Sequence, residues 1–214
     1  MENILVIGAN GKTGKIICKV LNNASGYKPY AMLRQEKQKS YFENQGIHTR
    51  IGDLENDFSD AFKDIHKVIF AAGSGGHTSD KKTTAIDQDG AIKSIVIAEN
   101  HRLQKFVMLS SMGTDKPEQI KSLKHYLEAK KKADDFLKAS NLSYTIVQPG
   151  ALTNDEGHEK VKIASRLNSV GQISREDVAQ ALIYALEESI AKDTSFEMLS
   201  GQDDLKHAIE NYKY

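Results

Sequence analysis

Tyr126 and Lys130 stand four residues apart in "HYLEAKKKADDFL", a stretch of helical period, so a helix puts them on one face, a turn from each other. A phenol beside an ammonium suits proton transfer to or from a carbonyl or alcohol oxygen. Free tyrosine titrates near a pH of about 10, and a neighbouring positive charge lowers that toward working pH. Upstream, "VMLSSMG" leaves Ser110 and Ser111 at the end of an apolar run, where either hydroxyl can hydrogen-bond the same oxygen. Residues 121–138 are rich in lysine, so a Tyr-x-x-x-Lys spacing also arises there on an ordinary solvated helix face.

A second pattern lies at the other end of the chain. "IGANGKTGK" spaces Gly8, Gly11 and Gly14 three apart, after the apolar run Ile4–Ile7 and before the helical pattern Ile16, Ile17, Val20, Leu21. A helix N-terminus exposes unpaired N–H groups at the positive end of the dipole, and glycine lets a pyrophosphate approach with no Cβ in the way. Glycines in a strand-to-helix turn also serve close packing alone, but strand, turn and helix occur here in the order that dinucleotide binding requires. The second strand, "AMLR", ends in Arg34, 20 residues after Gly14, with no acid until Glu36. A carboxylate at that turn accepts from a ribose 2′-hydroxyl, whereas arginine meets a 2′-phosphate. Arg34 therefore favours NADP over NAD, with Lys12 as a candidate second phosphate contact.

The elements that must position these groups follow from the period of the apolar residues. Short aliphatic runs at Ile4–Ile7, Tyr30–Leu33, His48–Ile51, Lys67–Phe70, Lys105–Leu109 and Tyr144–Val147 alternate with helical stretches. This predicts a doubly wound α/β fold, a parallel sheet with helices on both faces. The stretches from Asp80 to His101 and from Pro117 to Ser140 are expected side by side on one face. After Pro149 comes a polar loop, then "ISREDVAQALIYALEES" as a helix capped by Ser174, then "SFEMLSG" as a strand.

No linker or repeat divides the 214 residues, so one domain is expected, with residues from about 150 to 214 forming a small substrate-side lid. Lys plus Arg and Asp plus Glu are equal at 29 each, which argues against nucleic acid and anionic membrane as partners. No apolar run reaches the roughly 18 residues of a membrane span and no leader is visible, so a cytoplasmic protein is expected. Its single cysteine, Cys18, reads as a buried structural residue. A small-molecule substrate is expected, in a monomer or homodimer, with no metal.

The glycine loop, strand-end serine and tyrosine–lysine pair together resemble the short-chain dehydrogenase/reductase superfamily, and within it the atypical, NmrA-like or epimerase-like NAD(P)-binding branch. "GDLEN", "FAAGSGG", "YTIVQPGAL" and "ISREDVAQAL" strengthen the likeness, which covers nearly the whole chain. The resemblance implies that Gly8, Asn10, Gly11, Lys12, Thr13 and Gly14 line the phosphates and that Arg34 reads a 2′-phosphate. It places Asp53 and Leu54 beside the adenine, and Ala71, Ala72 and Gly73 under the middle of the dinucleotide. It makes Tyr126 the general acid/base and has Lys130 hold the nicotinamide ribose and depress the tyrosine pKa. Ser111, with Ser110 as its rival, orients the substrate oxygen, and the loop from Pro149 to Leu152 contacts the carboxamide. The family often has arginine before Pro149, where this chain has Gln148. The implied activity is an NAD(P)-dependent oxidoreductase or epimerase-like enzyme acting on a small carbonyl, quinone or sugar-like compound. The alternative is a regulator that senses NADP(H) without catalysis, since the fold alone does not decide function.

Overall fold

A computed structural model describes residues 1–75 and 78–212. Gly76, at the end of "FAAGSGG", lies outside the described residues. The first strand, β1 (Glu2–Ile7), sits between β2 (Tyr27–Leu33) and β4 (Lys67–Phe70), parallel to both. Beyond β2 lies β3 (His48–Ile51), and beyond β4 lie β5 (Lys105–Leu109), β6 (Tyr144–Pro149) and β10 (Thr194–Ser200), all parallel. The strand order reverses at β1 and β4, which is where open α/β sheets place ligands.

Successive side chains of a strand face opposite sides of the sheet, and β1 shows the consequence. Ile4 and Val6 join one core with Ile17 and Leu21 of α1 (Lys12–Asn23) and Leu182 of α6 (Arg175–Tyr184). Leu5 and Ile7 join the other, with Ile95 of α4 (Ala91–Asn100) and Ala133 and Leu137 of α5 (Lys124–Lys138). Each such fully buried aliphatic side chain contributes about 1.5 to 3 kcal/mol. Cys18 belongs to the first core, and burial pushes its thiol up to about 12, so it packs as an inert small hydrophobe.

The two long helical stretches do pack together on one face, but neither is regular throughout. The first runs through α3 (Asp80–Thr83) into a π-helical turn, Thr84–Gly90, before α4. The second opens with two short 3-10 turns, Pro117–Gln119 and Lys121–Leu123, and becomes α-helical only at Lys124.

The region after Pro149 combines a helix with further strands. Ser174 caps α6 by accepting from the Asp177 N–H, as its sequence indicates. Part of the region extends the sheet: β8 (Lys160–Ala164) pairs antiparallel with β10, and β11 (Asp203–Asp204) pairs with β8. β7 (Ala151–Thr153) and β9 (Gln172–Ser174) stand apart, as a two-stranded pair beside the site.

Candidate active site

The glycine loop turns at Gly8, whose φ of +86° and close approach to the Ala72 backbone leave no space for a side chain. Gly11 then caps α1 without any side-chain cap, and the first turn of α1 carries no acid. The free N–H groups of that turn and the positive end of the helix are thereby left for an external anion. A Cβ on Gly11 would press only on the Gly8 carbonyl, at 3.2 Å, whereas one on Gly14 would lie 2.2 Å from that same oxygen. Gly11 is therefore the open face of the cradle, and Gly14 is the contact that seats helix on strand.

Two cavities flank this loop, of about 360 and 470 Å³, and share a wall of Gly11, Ala71, Ala72 and Gly73. Gly8, Asn10, Arg34, Asp53 and Leu54 line the first. Lys12, Thr13, Ser110, Tyr126 and Lys130 line the second. Arg34 is exposed and lines the first cavity, whereas Lys12 lines the second. Gly14, Ser111 and Pro149 line neither cavity. Pro149 is buried and its carbonyl accepts from the Met112 N–H, so Leu152 is the member of its loop that reaches the second cavity.

The two serines have different tasks. The Ser110 hydroxyl, on the cavity wall, donates to Asp134 Oδ2 at 2.6 Å. The Ser111 hydroxyl donates to the Met112 carbonyl at 3.2 Å and neighbours the Tyr126 phenol. With its hydrogen committed to a carboxyl, Ser110 is an acceptor toward the cavity.

On the wall of the second cavity Lys130 is only 3 % exposed, and its Nζ lies 3.1 Å from Oδ1 of Asp87, which is fully buried in the π-helical turn. The other oxygen of Asp87, Oδ2, accepts from the Ser74 N–H at 2.9 Å. Lys130 also donates to the Ala72 and Leu109 carbonyls, each at 3.3 Å. Burial opposes the Lys130 charge, but Asp87, Tyr126 and Asp134 together hold its pKa above the ordinary value.

Lys130 does depress the Tyr126 pKa, but the expected net fall below the ordinary value does not follow. Burial pushes the phenol up from its ordinary value, Lys130 pulls it down, and Asp87 pushes it up again, with a net rise. The lysine reaches the tyrosine with its charge largely offset by Asp87.

Neither Asp87 nor Asp134 stands out in the sequence as a site residue. Asp134 is 2 % exposed; burial pushes its carboxyl up to about 6, against the pull of Ser110, Lys130 and Gln148. Gln148, in the place where the family often has arginine, donates to Asp134 Oδ2 at 3.2 Å and to Thr114 at 2.8 Å. A neutral amide replaces a cation there, so the buried carboxyl has no full counter-charge from that side. Four residues after Lys130, Asp134 shares its helical face, and that spacing is the one local signal of its role.

With this geometry in view, likeness to known proteins decides the family. Residues 8–189 match the family described as NAD(P)H-binding. The chain belongs to that family. It is 35 % identical over 211 residues to the uncharacterized sugar epimerase YhfK of Bacillus subtilis, covering 97 % of this chain and 98 % of that one. A solved structure from Bacillus halodurans, proposed to be an NAD-dependent epimerase/dehydratase, superposes with a TM-score of 0.95 at 40 % identity, covering 99 % of this chain and all of that one. The oxidoreductase ylbE of Lactococcus lactis superposes at 0.84 with 27 % identity, over 99 % of this chain and 100 % of that one. Membership makes this a Rossmann-type nucleotide-binding protein of an oxidoreductase and epimerase-like family. The uncapped α1 and the bare face of Gly11 fit a pyrophosphate. Among the described residues no cluster of His, Cys, Asp or Glu could hold a metal ion, and no helix is long and apolar enough to cross a membrane.

Proposed function

We propose that the protein is an NADP(H)-dependent oxidoreductase that reduces a small carbonyl compound in the second cavity. The observation that carries this is the Tyr126 phenol, held protonated by its surroundings on a cavity that shares a wall with the nucleotide half. When bound, the nicotinamide supplies hydride. Tyr126 then donates its proton to the carbonyl oxygen, and the neighbouring Ser111 hydroxyl, turning from the Met112 carbonyl, steadies the phenolate left behind. Lys130 holds the nicotinamide ribose, and Asp87 keeps the lysine in place. Arg34 selects NADP by pairing with the 2′-phosphate. A phenol that stays protonated at neutral pH is suited to giving a proton to a carbonyl, which favours reduction over oxidation of an alcohol.

A second reading has one observation in its favour. Lys130 is committed to Asp87 and two backbone carbonyls, a state that suffices for nucleotide binding without proton transfer, as in a sensor of the NADPH to NADP⁺ ratio. Steady NADPH consumption with a panel of quinones, flavins and aldehydes, abolished in Tyr126→Phe, supports the reductase. Tight NADPH binding with no turnover on any acceptor supports the sensor.

A further inference from the structure

Arg175 opens α6 and lines the second cavity together with Tyr126 and Ser110. Its position is electrostatically unusual, because the first turn of a helix favours acids and a cation there adds to the positive end of the dipole. The acids next to it do not compensate. Glu176 accepts from the Gly157 N–H and Asp177 from the Glu159 N–H, and among the described residues no carboxylate forms an ion pair with Arg175.

The hydrogen bonds of the guanidinium are one-sided. Nη1 donates to the Leu152 carbonyl at 3.2 Å, the Thr153 carbonyl at 3.0 Å and Asn154 Oδ1 at 2.8 Å. These contacts fix the plane of the group against β7. Nη2 and Nε find no acceptor among the described residues. Those two nitrogens form the side-on edge of a guanidinium, the edge that grips a carboxylate or phosphate with two parallel hydrogen bonds. A half-buried cation with one edge anchored and the other unused, on the wall of a substrate cavity, is a preorganised anion receptor.

We infer that Arg175 is a specificity-determining residue that binds a carboxylate or phosphate carried by the substrate, so that the preferred substrate is an anionic carbonyl compound. This rests on the reading of the second cavity as the substrate side. Lys12, exposed on the same lining, adds positive charge; Asp80, also exposed there, is the acid that opposes it. Ser110, whose hydrogen is committed to Asp134, offers an acceptor to a substrate hydroxyl in the same space.

The test pairs two aldehydes that differ in charge, 4-carboxybenzaldehyde and 4-methylbenzaldehyde, assayed with NADPH on the wild type, Arg175→Gln and Arg175→Lys. Benzoate and benzamide are titrated calorimetrically into each protein saturated with NADP⁺, which reads anion binding without any turnover. The wild type should prefer the charged aldehyde by about tenfold or more in kcat/KM, within the range of a charge-assisted contact. Arg175→Gln should lose that preference through KM, Arg175→Lys should keep part of it, and benzoate binding should weaken in step while benzamide stays unchanged. NADPH affinity should stay within about twofold, because the arginine serves the substrate. An equal loss on both aldehydes, benzoate binding that ignores the substitution, or a matching loss of NADPH affinity that assigns the arginine to a cofactor phosphate would each overturn the inference. If no aldehyde turns over while benzoate binding depends on Arg175, the anion site stands and the reductase reading falls.

Discussion

Asp87 Oδ1 lies 3.1 Å from Lys130 Nζ, with both residues buried, and this pair sets the charge that Tyr126 experiences. Removing the acid should act on the tyrosine as well as on the lysine. In Asp87→Asn the amide oxygen can still accept from Ser74, but the phenol loses the negative charge that pushes its pKa up. The Tyr126 pKa should fall, moving the alkaline limb of the pH profile for carbonyl reduction to lower pH. The same change should cost about 3 kcal/mol in stability, the order found when one partner of a buried pair is removed. An unchanged alkaline limb in a folded variant would show that Asp87 is structural only.

Two glycines of one loop should separate binding from folding. Gly11→Val should weaken NADPH binding by about tenfold, some 1.4 kcal/mol, with little change in melting temperature, because its side chain would enter the pyrophosphate space. Gly14→Val should lower the melting temperature first, since its Cβ meets the Gly8 carbonyl. Calorimetric titration beside thermal unfolding distinguishes the two.

Arg34 stands exposed on the first cavity, and the proposed function pairs it with a 2′-phosphate. Arg34→Ala should lower affinity for NADP⁺ by about ten- to a hundredfold and leave NAD⁺ unaffected, as expected for a charge-assisted contact. The wild-type preference should also shrink as salt is raised. Equal affinities of the wild type for the two dinucleotides would remove Arg34 from this role.

The centre of the sheet is legible in the sequence because β1, β4 and β5 are covered on both faces and therefore read as nearly unbroken apolar runs. β8 is not. "KVKIA" alternates Lys160 and Lys162 outward with Val161 inward, the signature of a half-exposed antiparallel strand, but its polar flanks look like continuing loop. The glycine loop and the Tyr126–Lys130 pair are legible as motifs because their spacing is local. Asp87 is not, since its partner Lys130 is remote in the chain and a carboxylate on a helix looks like solvated surface until the π-helical turn is seen to bury it. The same holds for Arg175: its sequence context announces a capped helix, and only the fold shows which edge of the guanidinium is spare.

Asp134 should be visible in the pH dependence of stability. Its folded carboxyl titrates at about 6, above the ordinary 3.8, so the native state holds the proton more tightly than the unfolded chain. Stability from this group is therefore greatest below the unfolded value and declines as pH rises from about 4 to 6, by up to about 3 kcal/mol. Asp134→Asn retains an acceptor for Ser110 and cannot ionise, so relative to wild type it should gain stability between about pH 4 and pH 7. Chemical denaturation of both proteins at the two pH values checks this; a constant difference would mean that Asp134 does not titrate in this window.

The most direct measurement is NADPH oxidation by Tyr126→Phe on the best carbonyl acceptor of the wild type, with NADPH affinity measured on the same preparation. Loss of the proton donor should lower turnover by about two to four orders of magnitude while the dissociation constant for NADPH changes by less than about twofold. Full turnover by the Tyr126→Phe protein would contradict the assignment of Tyr126 as the acid and, with it, the proposed reaction.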